Sequence, residues 1–214
     1  MTTIRYPWDQ PPNNGEIREI AEGVMWLRLP LPMKLDHVNI YILDDGDGWT
    51  LIDTGIKTRK VIGMWQNLID NILSGKPIKR VIATHHHPDH VGLHGWFVEH
   101  YGAEYVSTQV AYLTARMLTL DTQETYVESQ IDFYRKAGMR SDLFEVRKSE
   151  RPFNFSDIVH AIPIGFKKIF EGDKIEMGGR TWDIRVDHGH APDHATFWSC
   201  DDHLVLSGDQ IIPS

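Results

Sequence analysis

The chain has 214 residues, of which 41% are hydrophobic and 24% charged, and a formal net charge of -8. This length and balance fit one globular domain with a substantial core. The acidic character counts against a nucleic-acid-binding face, which needs a basic footprint. No apolar run approaches the roughly 20 residues of a membrane span, and the first ten residues, MTTIRYPWDQ, hold no apolar h-region, so no signal peptide and a cytoplasmic location are expected.

Residues 1–20 read as an extended, polar arm leading to Val24-Met25-Trp26-Leu27, an edge strand. His37 to Leu43 is a strand, Asp44-Asp45-Gly46-Asp47-Gly48 a turn, and Trp49-Thr50-Leu51-Ile52 the returning strand of a hairpin. From 58 to 73, Val61, Ile62, Met64, Trp65, Leu68, Ile69 and Ile72 recur at helical spacing, with Gly75 as the stop. Arg80-Val81-Ile82-Ala83 is a short buried strand, residues 90–100 are helical with Gly102 at the stop, and Tyr105-Val106 is another strand. Ser107 or Thr108 caps the next helix. Alternating strands and helices make this an α/β chain.

Residues 108–148 read as a helical insertion within a single domain spanning 1–214. Its Tyr112, Met117, Tyr126, Phe133, Tyr134, Met139 and Phe144 suit either extra core or a cap over a pocket. Strands return at Ile169-Phe170, Ile175 to Met177 and Trp182 to Val186, and close with Phe197-Trp198 and Leu204-Val205-Leu206. The single cysteine, Cys200, excludes an intrachain disulfide and reads as a buried, inert thiol at the end of a strand.

Histidine is the unusual component: twelve are present, concentrated at 85–90 and 188–194. Thr84-His85-His86-His87-Pro88-Asp89-His90 places His-x-His-x-Asp-His at the end of a buried strand, where open α/β folds gather ligands. Imidazole and carboxylate are the ligands of zinc, iron or manganese. His85 and His87 point the same way on an extended stretch, while Asp89 and His90 open a helix. The second cluster runs His188-Gly189-His190-Ala191-Pro192-Asp193-His194. His190 has the best claim there, His188 and His194 weaker ones. Asp209 ends another strand and can bridge two ions with its two oxygens. Asp53, at the end of the hairpin, suits a group that orients a ligand histidine.

Four motifs in order, Leu51 to Gly55, Thr84 to His90 with Gly92, Gly189 to His194, and Leu206 to Asp209, resemble those of the metallo-β-lactamase superfamily, the glyoxalase II-like metallo-hydrolases. The resemblance implies an αββα sandwich with two divalent metal ions at one edge of its sheets. Zinc is foremost, with iron or manganese also possible. By resemblance His85, His87 and His190 hold the first ion, and Asp89, His90 and Asp209 the second. The fifth motif of the family, a histidine well downstream of the bridging aspartate, has no counterpart, so the C-terminal part of the sandwich is expected to be missing. The implied activity is hydrolysis of a thioester, ester or lactone by a metal-bound hydroxide that Asp89 also orients.

The expected partner is therefore a small-molecule acyl substrate, with Met33, Leu35 and Asp36 as candidate contacts ahead of the first hairpin. A phosphodiesterase or nuclease would need a basic channel, and Arg80, Arg147-Lys148, Lys167 and Lys168 are scattered along the chain. The same ligand set would also suit an iron-binding redox or oxygenase domain, or a non-catalytic metal-binding domain.

Overall fold

The computed structural model describes residues 5–200 and 202–211, so the first four residues of the expected arm lie outside it. Eleven strands among these residues form two sheets. The first has the order β1 to β7: β1 (Ile17–Ala21), β2 (Val24–Pro30), β3 (His37–Asp44), β4 (Trp49–Ile52), β5 (Ile78–Ile82), β6 (Glu104–Ser107) and β7 (Lys167–Lys168). Pairing is antiparallel from β1 to β4 and parallel from β4 to β7. The second sheet, β8 (Lys174–Met177), β9 (Arg180–Asp187), β10 (His194–Ser199) and β11 (Leu204–Leu206), is antiparallel throughout.

The helices are α1 (Arg59–Asn71), α2 (Pro88–Val91), α3 (His94–Tyr101), α4 (Gln109–Leu120), α5 (Glu128–Lys136), α6 (Ser141–Ser149) and α7 (Phe155–Ile158). The switch to parallel pairing at β4 needs crossovers, and α1 and α3 supply them. Thr58 caps α1 by accepting from the Val61 amide, and Thr108 caps α4 by accepting from the Ala111 amide. Gly102, at φ 66, ends α3 in the left-handed conformation that glycine adopts without strain.

Alternation along the strands divides the core. On β3, Val38, Ile40 and Ile42 face the helices and join Trp65 and Leu68 of α1 and Phe97 of α3. Leu43, Ile52, Ile82 and Val106 face the second sheet and meet Trp182, Ile184, Phe197 and Leu206. Among the described residues, the cluster between the sheets contains no helical side chain. Two sheets face to face with flanking helices are the sandwich arrangement expected. No helix among the described residues is long and apolar enough to cross a membrane.

Four expectations are corrected. The edge of the first sheet is β1, not the strand starting at Val24, because a two-residue turn at Glu22-Gly23 folds Ile17–Ala21 back onto it. The helix over 90–100 is two pieces, broken at Gly92-Leu93. Pairing at Ile169-Phe170 falls instead on Lys167–Lys168, which continue the parallel ladder beside Val106 and Ser107. Cys200 is exposed, because β10 ends at Ser199 and the thiol lies past it, 3.2 Å from Asp183 Oδ2. The insertion over 108–148 holds three helices, α4 to α6, and no residue of α6 is buried.

Trp65 ties the core to the site. Its ring is wholly buried, edge-on to Phe97 at 5.0 Å, and its Nε1 donates to the Thr54 carbonyl at 2.8 Å. Trp65→Ala is expected to cost about 3–5 kcal/mol, read as a shift of the urea midpoint. Trp65→Phe, which keeps most of the volume, should cost clearly less.

Candidate metal centre

The two histidine-rich segments meet where strands end. The loop after β5 carries His85 and His87, α2 begins with Pro88 and carries Asp89 and His90, the loop after β9 carries His190, and the turn after β11 carries Asp209. Proline at the first helical position costs no hydrogen bond, so the chain leaves the extended His87 and turns at once into helix. Asp89 and His90 are thereby aimed from the first turn. The turn packs tightly: a Cβ on Gly92 would lie 2.4 Å from the Gly55 carbonyl oxygen.

Two triads of ligand-competent atoms result. His85, His87 and His190 have such atoms within 4.8 Å of one another, and so do His85, His90 and Asp209. His87 Nδ1 and His190 Nε2 face each other at 3.0 Å. Asp209 Oδ2 lies 3.3 Å from His90 Nε2 and 3.6 Å from His190 Nε2, between the two groups. Asp89 belongs to neither triad, but its Oδ2 is 3.6 Å from His90 Nε2. All six expected ligand residues therefore converge on one place.

Asp53 is not among them. Its buried carboxylate accepts from the Thr84 amide, the Thr84 hydroxyl and His90 Nδ1, each at 2.8 Å. Since the Thr84 hydroxyl donates to Asp53, it accepts from His85 Nδ1 at 2.9 Å. His85 Nε2 is then left as a buried lone pair with no hydrogen-bond partner among the described residues. An orphaned acceptor costs free energy, and together with the imidazole and carboxylate donors around it, it fits a divalent ion.

The charges fall into a pattern. Burial, reinforced by the neighbouring histidines, lowers the His85 pKa far below the ordinary value, and the same causes bring His87 to about 4. Burial also opposes a charge on His90, but the carboxylates of Asp53, Asp209 and Asp89 overcome it and push the ring up to about 10. Burial opposes ionisation of Asp53 and Asp209 as well, yet His90 holds both below the usual aspartate value.

Other residues take unexpected places. His188 is largely exposed, pairs with Asp193 at 3.5 Å, and lines a separate cavity with Val110, Leu113 and Phe170. His194 is wholly buried and lies against His85. Sequence reasoning missed Thr84, Thr54 and His94. Thr54 Oγ1 lies 2.9 Å from His94 Nδ1, which carries the support on to α3. The spacing of His94 four residues after His90, within the stretch read as helical, was the available signal. Of the expected substrate contacts, Leu35 lines a cavity with Asp89 and Asp209, while Asp36 pairs with His37 and Arg28.

Two triads of histidine and aspartate that could hold metal ions stand at the strand ends of a two-sheet sandwich. The family model of the metallo-beta-lactamase superfamily matches residues 33–213, and the chain belongs to that superfamily. It is 25% identical over 193 residues to the probable metallo-hydrolase YqjP of Bacillus subtilis (strain 168), covering 90% of this chain and 58% of that protein. A beta-lactamase domain protein from Burkholderia ambifaria superposes with a TM-score of 0.81 at 32% identity, over 97% of this chain and 58% of its own. A metallo-beta-lactamase family protein from Thermus thermophilus gives 0.73 at 26% identity, over 92% and 62%. The chain thus spans about three-fifths of the length of these relatives.

The charge pattern has a measurable outcome. His90 carries both ring protons near neutral pH and must release the one on Nε2 to bind an ion, whereas His85 and His87 are already neutral. Zinc titrated into the metal-free protein near neutral pH is expected to displace about one proton through His90, and fewer as the pH rises toward the raised value of its ring. Calorimetry in buffers of different ionisation enthalpy measures this. Asp53→Asn removes the carboxylate that holds the proton, so the release should shrink.

Proposed function

We propose that the chain is a two-metal hydrolase acting on a small thioester, ester or lactone. His85, His87 and His190 hold one ion and Asp89, His90 and Asp209 the other, with zinc the metal best suited to this borderline donor set. Asp209, within 3.6 Å of ring nitrogens from both groups, supports a bridging role. Bound there, divalent ions supply an acidified water as nucleophile and a Lewis acid toward the substrate carbonyl. The chain supplies orientation. Thr84 fixes the His85 tautomer, Asp53 fixes His90, and Asp89, on the first turn of α2, would orient the attacking water.

One observation carries the substrate class. The cavity of about 320 Å³ that opens onto Asp89 and Asp209 is otherwise lined by Leu35, His37, Val38, Asn39, Gly208 and Ile211. Among the described residues, no lysine or arginine lines it. Leu35 and Ile211, both exposed, offer apolar surface to an uncharged acyl group. A phosphodiester needs cationic partners, and four of the basic residues considered for a channel pair elsewhere: Arg80 with Asp45, Lys167 with Glu104, Lys168 with Gln109 and Arg147 with Tyr126. The helices α4 to α6 contribute nothing to this cavity. They enclose another of about 390 Å³, lined in part by Tyr126, Tyr134 and Arg147, so their role as a cap over the metals is not favoured.

The test combines metal content by mass spectrometry with a panel of thioesters, lactones and bis(p-nitrophenyl) phosphate. Bound zinc with turnover confined to the acyl substrates is the expected result. Faster cleavage of the phosphodiester would replace this reading with the nuclease one, and bound iron would favour a redox role. His87→Ala and Asp89→Ala should each lower metal content and turnover together, turnover by at least about a hundredfold. Full occupancy with wild-type turnover in either variant would remove that residue from its role.

A further inference from the structure

His194 occupies the position where the three ligand-bearing segments touch. Its ring is wholly buried and stacks on His85, with centroids 4.5 Å apart and planes at 18°. Its Nε2 accepts a hydrogen bond from the Asp209 amide at 3.2 Å. The next residue, Ala195, donates its amide to the Thr84 carbonyl at 2.8 Å, which ties the start of β10 to the His85 loop. Gly208 admits the contact. It sits at φ 50, and a Cβ there would lie 2.7 Å from His194 Cε1 and 2.9 Å from Nε2. Any side chain at 208 would push the turn off the ring and pull the Asp209 amide from its acceptor.

His194 belongs to neither triad of ligand atoms. An accepting Nε2 places the ring proton on Nδ1, which is buried and has no hydrogen-bond partner among the described residues. A buried donor left unsatisfied is destabilising, so packing of the fold alone would favour an apolar ring here. What an apolar ring could not do is accept from Asp209. Among the described residues nothing else accepts from that backbone amide, and the Asp209 side chain is the member of the second triad that comes from the turn after β11.

We propose that His194 is a positioning residue for the second ion, acting through the Asp209 backbone, while its stacked ring steadies His85 for both. The inference rests on the two-metal reading above. It separates two functions of one side chain: the acceptor serves the triad of His85, His90 and Asp209, and the ring serves whichever triad His85 joins. His194→Phe keeps the stack and deletes the acceptor. His194→Gln restores an acceptor at about the same reach and deletes the ring. Asp209 is left untouched in both.

The experiment measures zinc binding to wild type and both variants by competition with a chromophoric chelator. Cobalt(II) absorption reports the coordination at each ion, and circular dichroism of the metal-free forms checks the fold. Loss of an orienting partner of this kind weakens metal affinity about 10–100-fold. We expect His194→Phe to keep the first ion near wild-type affinity and to bind the second at least about tenfold more weakly, with the change in the cobalt spectrum confined to the second equivalent. His194→Gln should recover the second ion in part and weaken the first. If the Phe variant does not fold, His194→Asn, too short to reach the Asp209 amide, carries the same expectation for the second ion. Two ions at wild-type affinity and an unchanged cobalt spectrum in the acceptor-deleted variant would overturn the role of His194 and leave the two-metal reading intact. A wild type that binds no second ion overturns both.

Discussion

The carboxylate of Asp53 is the interaction on which the rest of the site depends. It is buried at the end of β4, in a backbone conformation with φ 64 that non-glycine residues seldom adopt. A buried charge is tolerated only when its hydrogen-bonding capacity is filled, and here one amide, one hydroxyl and one imidazole fill it. These three donors come from the end of β5 and the first turn of α2. One side chain therefore joins a strand, the neighbouring parallel strand and the helix that follows. The positions of His85 and His90 follow from a group that does not itself belong to either triad. Thr54 extends the arrangement: its amide donates to the His90 carbonyl, and its hydroxyl faces His94 and the start of α3.

Much of this was readable in the residues because chemistry-bearing side chains were concentrated at the ends of apolar runs. The strands around Ile40, Leu51, Val81 and Trp182 alternate or stay apolar, and each turns polar where the fold ends it. The convergence of the six expected ligand residues was legible for the same reason: four such groups within six positions of a strand end point to a shared centre. What was not legible depended on partners remote in sequence. Thr84 is an ordinary residue until Asp53 and His85 are seen on either side of it. His194 gave no sign of its stack on His85, which lies 109 positions away by residue number. The β1 hairpin was missed because its Glu22-Gly23 turn is only two residues long and its strand mixes charged and apolar side chains. Cys200 was misplaced by one residue, which at a strand end exchanges the interior for solvent.

The two halves of the site differ in how firmly they are held. His85 and His90 are buried, and each has a ring nitrogen committed to a partner in the Asp53 network. His190 and Asp209 retain about 30% and 27% side-chain exposure and come from turns. Their backbone ties are a 3.4 Å contact of the His190 amide with Gln210 Oε1 and the bond from Asp209 to His194. The first half has the geometry of a preformed scaffold, and the second closes on it through a few local contacts. Turns with few buried contacts open at lower free energy than core strands.

The single available nitrogen of His85 limits what the two triads can hold together. Its Nδ1 is committed to Thr84, so only Nε2 can leave for an ion, yet both triads count His85 as a member. One lone pair cannot serve two centres. An ion that drew on it from one triad would leave the other with two of its three donors, His87 and His190 or His90 and Asp209. A threonine hydroxyl that belongs to neither triad thus leaves His85 able to serve one centre and not both.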